Sequence, residues 1–193
     1  EYSLKIIEMG KKEGINITCE ATPHHFSFSD DEILKNAYDT NFKMSPPLRE
    51  ISDVKAVREA LKSGLIDVIA TDHAPHHTDE KIVEFDKAPF GIIGLQTLVP
   101  LTLKLVNEGV ISLERMVELT STNAAKMLNL KDKGRLAEGM LADIAVIDPE
   151  IEYVYDEKIN RSKSINSPLF GKKLKGAATT TIKSGKIVYE FGK

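Results

Sequence analysis

The stretch Leu65-Ile66-Asp67-Val68-Ile69-Ala70-Thr71-Asp72-His73-Ala74-Pro75-His76-His77 decides the fold. Its first half is a short apolar run with the β-branched content of a buried strand. Its second half is a loop that opens on an aspartate and carries three of the chain's five histidines. In an α/β barrel, the end of a strand is where chemistry sits. A carboxylate there can ligate a metal, move a proton, or do both.

Upstream, residues 2–12 read as a helix, with Leu4, Ile7 and Met9 near helical spacing and Gly14 as its stop. Residues 15–19 (Ile-Asn-Ile-Thr-Cys) read as a second strand, followed by Thr22-Pro23-His24-His25. Ser29-Asp30-Asp31-Glu32 resembles the capped start of a short helix through Ala37. Met44-Ser45-Pro46-Pro47-Leu48-Arg49 must be a loop, because consecutive prolines break both helix and central strand. Ser52 is expected to cap a helix through Lys62, with Val54, Val57, Ala60 and Leu61 on one face and Gly64 beyond its end. Helix, strand, helix, strand argues for an α/β fold with a parallel sheet.

Downstream, residues 78–94 show no periodicity, and long irregular segments of this kind are functional or mobile. Residues 95–107 and 112–119 read as helices, and Ser121 or Thr122 as the cap of another through Leu128. Beyond Asn129 the pattern turns to β. Residues 141–147 read as a strand closed by Asp148-Pro149, and residues 151–155 as another. Residues 179–190 read as a hairpin turning at Ser184-Gly185. The predicted organisation is an α/β portion over residues 1–130 and a β-rich portion over residues 131–193. Two strands do not make a barrel, and the later strands do not close a sheet. Both portions read as incomplete, with further sequence expected upstream.

Bulk properties narrow the partners. Among 193 residues, 41% are hydrophobic and 28% charged, ordinary values for a globular protein. A net charge of −3 argues against nucleic acid or an anionic membrane as partner. No apolar run approaches the roughly 18 residues of a membrane span, and the N-terminal residues do not read as a signal peptide. Cys19 is the single cysteine and cannot form an internal disulfide, which fits a reducing, cytoplasmic setting. Its strand-like surroundings predict a buried structural thiol.

Four motifs in order resemble the C-terminal half of the dihydroorotases of the amidohydrolase superfamily. They are Cys19-Glu20-Ala21-Thr22-Pro23-His24-His25, Lys43-Met44-Ser45-Pro46-Pro47-Leu48-Arg49, Ala70-Thr71-Asp72-His73-Ala74-Pro75-His76, and the run from Lys87 through Pro89-Phe90-Gly91 to Thr97. Gly139-Met140-Leu141-Ala142-Asp143-Ile144 is similar to the superfamily's return into a small β-sandwich. The resemblance covers nearly the whole chain. It implies the C-terminal part of a (β/α)8 TIM-type barrel of metal-dependent hydrolases, plus part of that sandwich. Residues 65–70 would be the last barrel strand and residues 15–19 the one before it.

The implied activity is reversible hydrolysis of the cyclic amide of dihydroorotate to N-carbamoyl-L-aspartate, in pyrimidine biosynthesis. One or two zinc ions would activate the attacking water. The family's ligands are an early His-x-His pair, a bridging carboxylate or carboxylated lysine, two later histidines, and the aspartate after the last strand. Only that aspartate, Asp72, matches here, so this chain is not expected to build the metal centre or to act alone. The resemblance makes Asp72 both metal ligand and proton carrier. It makes His76 a substrate contact, and Phe90 and Gly91 a loop whose backbone approaches the substrate. Ser45 stands where many dihydroorotases carry an asparagine, and offers one donor rather than two. His24, His25, His73 and His77 are expected to be packed or hydrogen-bonded side chains rather than ligands.

A homodimer and an association with aspartate transcarbamoylase are both open under this resemblance. So are two other functions: an allantoinase- or hydantoinase-type cyclic amidohydrolase, and a non-catalytic scaffold for the transcarbamoylase. His76 and the Pro89-Phe90-Gly91 run favour dihydroorotase, while Ser45 departs from it.

Overall fold

The computed structural model describes residues 1–192. In chain order the elements are α1 (Tyr2–Lys12), β1 (Glu20–Ala21), α2 (Pro23–Ser27), α3 (Asp31–Lys35), α4 (Ile51–Ser63), β2 (Val68–Ile69), α5 (Thr78–Lys81), α6 (Leu98–Asn107), α7 (Leu113–Val117), α8 (Asn123–Met127), β3 (Ile144–Val154), β4 (Lys173–Lys183) and β5 (Lys186–Glu190). A π-helical turn, Glu118–Thr122, fuses α7 to α8. Thr122 therefore sits inside helical backbone instead of capping α8, and its hydroxyl donates to the Gly134 carbonyl at 2.8 Å. Nor does Ser52 cap α4; Glu50 precedes that helix and makes no side-chain cap bond.

β1 and β2 pair in parallel, Glu20 with Val68 and Ala21 with Ile69. The first strand thus begins at Glu20, beyond the expected residues 15–19. Asp67 explains the shift. Its Oδ2 takes up the Cys19 N–H at 2.9 Å in place of a backbone acceptor, while its own N–H makes the first backbone bond of the pairing, to the Cys19 carbonyl at 3.0 Å. The Ile17 N–H turns back onto the Ile15 carbonyl at 2.8 Å. A side chain and a local turn satisfy backbone that a neighbouring strand would otherwise pair.

The base of β2 is clamped from three helices. Lys11 of α1 reaches the Leu65 carbonyl and the Asp67 carboxylate, both at 2.8 Å. Arg115 of α7 donates to the Ile66 carbonyl at 2.8 Å, and Asn123 of α8 to the Asp67 carbonyl at 2.8 Å. Donors from flanking helices thus meet carbonyls that a two-stranded ladder leaves open. Cys19 is half-buried, with Sγ 3.4 Å from the Leu65 carbonyl, and burial raises its thiol pKa.

The main core lies between this strand pair and α2, α4, α6 and α7. Phe26, Leu61, Leu103, Leu105, Met116 and Leu119 are its most deeply buried members. Truncating such a side chain to alanine costs about 2–5 kcal/mol. A second cluster of Phe42, Met44, Leu48 and Ile92, with Phe28 and Ile33 packed against it, underlies the loops at the far end of β2.

β3, β4 and β5 form a separate antiparallel sheet in that order. β3 runs through Pro149, where the sequence predicts a stop. Two conditions allow this: β3 is an edge strand, and its register breaks between Asp148 and Glu152, so no ladder bond is asked of the proline. The sheet packs on α6 where Gly176 has φ +86°; a Cβ there would fall 2.2 Å from Leu103 Cδ1. Large apolar side chains stay exposed on the helix face of α1 (Tyr2, Ile6, Met9) and on β5 (Ile187, Val188). None of the described helices is long and apolar enough to cross a membrane.

One of the buried titratable residues is a histidine. His24 is buried, its Nε2 has no hydrogen-bond partner, and burial pushes its pKa down to about 3. As pH falls below about 6.5 the unfolded chain takes up this proton first, so stability drops toward pH 3 at roughly 1.4 kcal/mol per unit. Chemical denaturation at pH 6.5 and pH 5 is expected to show a loss of about 2 kcal/mol that His24→Leu removes. Equal pH dependence in the two proteins would contradict a buried neutral imidazole.

Candidate active site

Because β1 and β2 run in parallel, both strands deliver their following residues to the same end of the sheet. From β1 come Thr22 to His25, and from β2 come Ala70 to His77. A third segment joins them through a parallel bridge between His73 and Ile92, with the Ala74 N–H donating to the Ile92 carbonyl at 2.9 Å. Asp72 sits at the turn between strand and bridge, with φ +48°. Aspartate tolerates this left-handed conformation better than most residues. Its carboxylate is exposed and has no hydrogen-bond partner among the described residues.

The structure brings His76, Phe90 and Gly91 together. His76 Nε2 lies 2.9 Å from the Phe90 carbonyl, so this nitrogen carries the proton and donates it. Nδ1 remains, 3.6 Å from Glu80 Oε2. The Gly91 N–H donates to the Lys43 carbonyl at 2.9 Å, which ties this loop to the segment carrying Ser45. Lys43 reinforces the tie: its Nζ donates to the Asp86 and Ala88 carbonyls and lies 4.7 Å from the centre of the Phe90 ring. Ser45 itself is exposed and precedes a cis bond to Pro46.

The remaining histidines hold the frame. His25 donates from Nε2 to the Pro46 carbonyl at 2.8 Å and accepts the Thr22 hydroxyl at Nδ1, bracing the Ser45 loop. His73 Nδ1 accepts the Gly94 N–H at 3.1 Å. His77 caps α5, a helix absent from the sequence reading, and Glu80 closes the capping box.

Two supporting residues escaped the sequence reading. Lys81 is buried, and its Nζ donates to the Pro89 and Gly91 carbonyls at 2.9 and 3.2 Å. Burial pushes its pKa down to about 8. Asn166, also buried, bonds to Ala74, His76, Gly91 and Ile93. Neither carries a sequence signal. Lys81 lies in an aperiodic charged run, and Asn166 in Asn166-Ser167-Pro168, which reads as an ordinary turn.

Among the described residues, no three His, Cys, Asp or Glu side chains converge as a metal-binding group. The donors among the described residues do not by themselves fit a metal site.

The amidohydrolase family model matches residues 8–188, and the chain belongs to that family. Within it, the chain is 52% identical to the dihydroorotase of Geobacter metallireducens and 50% identical to that of Geotalea daltonii, each over 97% of this chain and 44% of the relative. It therefore spans less than half the length of these curated relatives. Among solved structures, a D-hydantoinase superposes with a TM-score of 0.88 at 29% identity, over all of this chain and 43% of that one. An L-hydantoinase (dihydropyrimidinase) from Arthrobacter aurescens gives 0.87 at 30% identity, over 98% of this chain and 43% of that one. These neighbours and the family match fit a TIM-barrel-type hydrolase fold with α/β content.

Gly91 has φ +97°, and a Cβ there would lie 2.6 Å from the Ala74 Cβ. Gly91→Ala is expected to cost about 2 kcal/mol or more in urea denaturation, from backbone strain plus overlap. Adding Ala74→Gly should recover only the overlap. Wild-type stability in the single variant would contradict this close approach.

Proposed function

We propose that this chain supplies the substrate-side half of a dihydroorotase active site, which hydrolyses the cyclic amide of dihydroorotate to N-carbamoyl-L-aspartate and reverses that reaction. The observation that carries this reading is the convergence of Asp72, His76, Phe90-Gly91 and the Ser45 loop beyond one end of β2, joined through the bonds of Phe90 and Gly91. Its similarity to curated dihydroorotases at about 50% identity supports the same reading. In this account residues 1–130 are the last part of the barrel, and residues 131–193 part of the composite β-sandwich.

Asp72 is the proton carrier. Its unpartnered, exposed carboxylate is free to take a proton from the attacking water and to return it to the ring nitrogen released when the amide breaks. His76 donates its Nε2 proton to the substrate's carboxylate or ring carbonyl, exchanging the Phe90 carbonyl for it. The Phe90 N–H, which meets no backbone acceptor among the described residues, faces the same task. Ser45 offers a hydroxyl in place of the longer amide found in many relatives, so it reaches substrate with one donor fewer. Zinc is the metal proposed for the intact site. Asp72 is the ligand proposed from this chain, whose described residues hold no group of three His, Cys, Asp or Glu side chains that could complete the coordination.

The test is turnover of dihydroorotate by the full-length protein, beside hydantoin and allantoin as competing cyclic amides. Dihydroorotate is expected to be the preferred substrate; preference for hydantoin would move the assignment to the hydantoinases. Asp72→Ala should lower kcat by about 10³-fold or more while circular dichroism stays unchanged. Near-wild-type turnover would remove Asp72 from the mechanism. Ser45→Asn is expected to leave kcat within about threefold and to lower KM, since it restores a second donor. A severe loss would show a site built around serine.

A further inference from the structure

Asn166 lies about 75 to 92 residues along the chain from the groups it holds, in a segment that leaves the antiparallel sheet. It is 4% exposed. Its Nδ2 donates to the Ala74 carbonyl at 2.9 Å and to the Gly91 carbonyl at 3.3 Å. Its Oδ1 accepts the His76 N–H at 3.2 Å, and its backbone carbonyl accepts the Ile93 N–H at 3.1 Å. One amide orientation alone meets two carbonyls with its nitrogen and an N–H with its oxygen. All its polar side-chain atoms are thus spent on the two loops that carry His76 and Phe90-Gly91.

The segment that presents Asn166 is itself ordered from the sheet. Tyr155, fully buried just beyond β3, donates from its hydroxyl to Asn160 Oδ1 at 3.1 Å. Asn160 is buried and donates from Nδ2 to the Ser162 and Ser164 carbonyls at 3.2 and 2.8 Å. The Tyr155 backbone is pinned on both sides, its N–H to the Lys172 carbonyl at 2.9 Å and its carbonyl by the Gly171 N–H at 2.7 Å. Hydrogen bonds therefore order this segment from the end of β3, through Tyr155 and Asn160, as far as the Ser164 carbonyl, two residues before Asn166.

We propose that Asn166 is a positioning residue: it locks the His76 loop against the Phe90-Gly91 loop, and makes the β-rich part of the chain a determinant of substrate affinity at the barrel end. This rests on the proposed function above for its kinetic consequence, and on geometry alone for its structural one. An aspartate has the same shape but no donor. It turns a carboxylate toward two carbonyls, and the loops lose their common tether. An alanine also removes the acceptor of the His76 N–H.

The experiment uses the full-length protein with Asn166→Asp and Asn166→Ala, read by hydrogen exchange and by steady-state kinetics. Exchange of the His76 amide is expected to rise at least about tenfold in Asn166→Ala, with the Asp67 and Ala70 amides of the β1–β2 pairing unchanged. KM for dihydroorotate should rise about tenfold in Asn166→Asp, with kcat within about threefold, because binding groups are displaced while Asp72 is not. Unchanged His76 exchange overturns the proposal. So does a uniform rise in exchange across the β1–β2 pairing, or a fall in kcat with KM unchanged; each marks a residue that serves stability alone. If wild-type protein does not turn over dihydroorotate, the functional reading fails, and the exchange data alone decide the lock.

Discussion

Two pairs of residues in parallel register, Glu20 with Val68 and Ala21 with Ile69, send two chain segments out of the core on the same side. Strands of opposite direction would deliver Thr22–His25 and Thr71–His77 to opposite ends of the sheet. The pairing is short, and its stability comes from elsewhere. Apolar packing of Phe26, Leu61, Leu103 and Leu119 buries the strands. Lys11, Arg115 and Asn123 hold the carbonyls at the base of β2. Rigid packing and clamps lie at one end of β2, and exposed functional groups at the other. Barrel enzymes divide stability from chemistry in this way.

Beyond the strand ends the chain is irregular, and order there rests on polar side chains reaching backbone carbonyls. Three successive carbonyls each have a donor: Pro89 from Lys81, Phe90 from His76, and Gly91 from Lys81 and Asn166. A buried lysine is costly to desolvate, which its lowered pKa expresses. Here it meets the Pro89 carbonyl, which has no other donor among the described residues, and shares the Gly91 carbonyl with Asn166. The loop is therefore preorganised without regular secondary structure.

What the sequence made legible follows from the reach of each signal. Helix α1, the exit from β2, the double-proline loop and the β4–β5 hairpin were all visible, because periodicity, proline and turn chemistry act within a few residues. The start of β1 was displaced because the Asp67 side chain, 48 residues along the chain, takes up the Cys19 N–H. β3 passes through Pro149 because an edge position and a broken register relieve the ladder, and neither is written locally. At the site, Asp72, His76, Phe90 and Gly91 stood in motifs. Lys81 and Asn166 did not, since their roles depend on contacts 8 to 92 residues away.

The family relationship and the geometry make separate contributions. The first places the chain among amidohydrolases, with close relatives that are dihydroorotases and structural neighbours that are hydantoinases. The second brings the candidate residues to one end of β2 and shows what holds them there. The two meet in one direct measurement, a crystal structure of the full-length protein with dihydroorotate or N-carbamoyl-L-aspartate bound. The account predicts the ligand beyond the end of β2, with its carboxylate or ring carbonyl bonded to His76 and the Phe90-Gly91 backbone, and its scissile amide beside Asp72. A ligand seated elsewhere, or one that leaves Asp72 and Gly91 untouched, would contradict it.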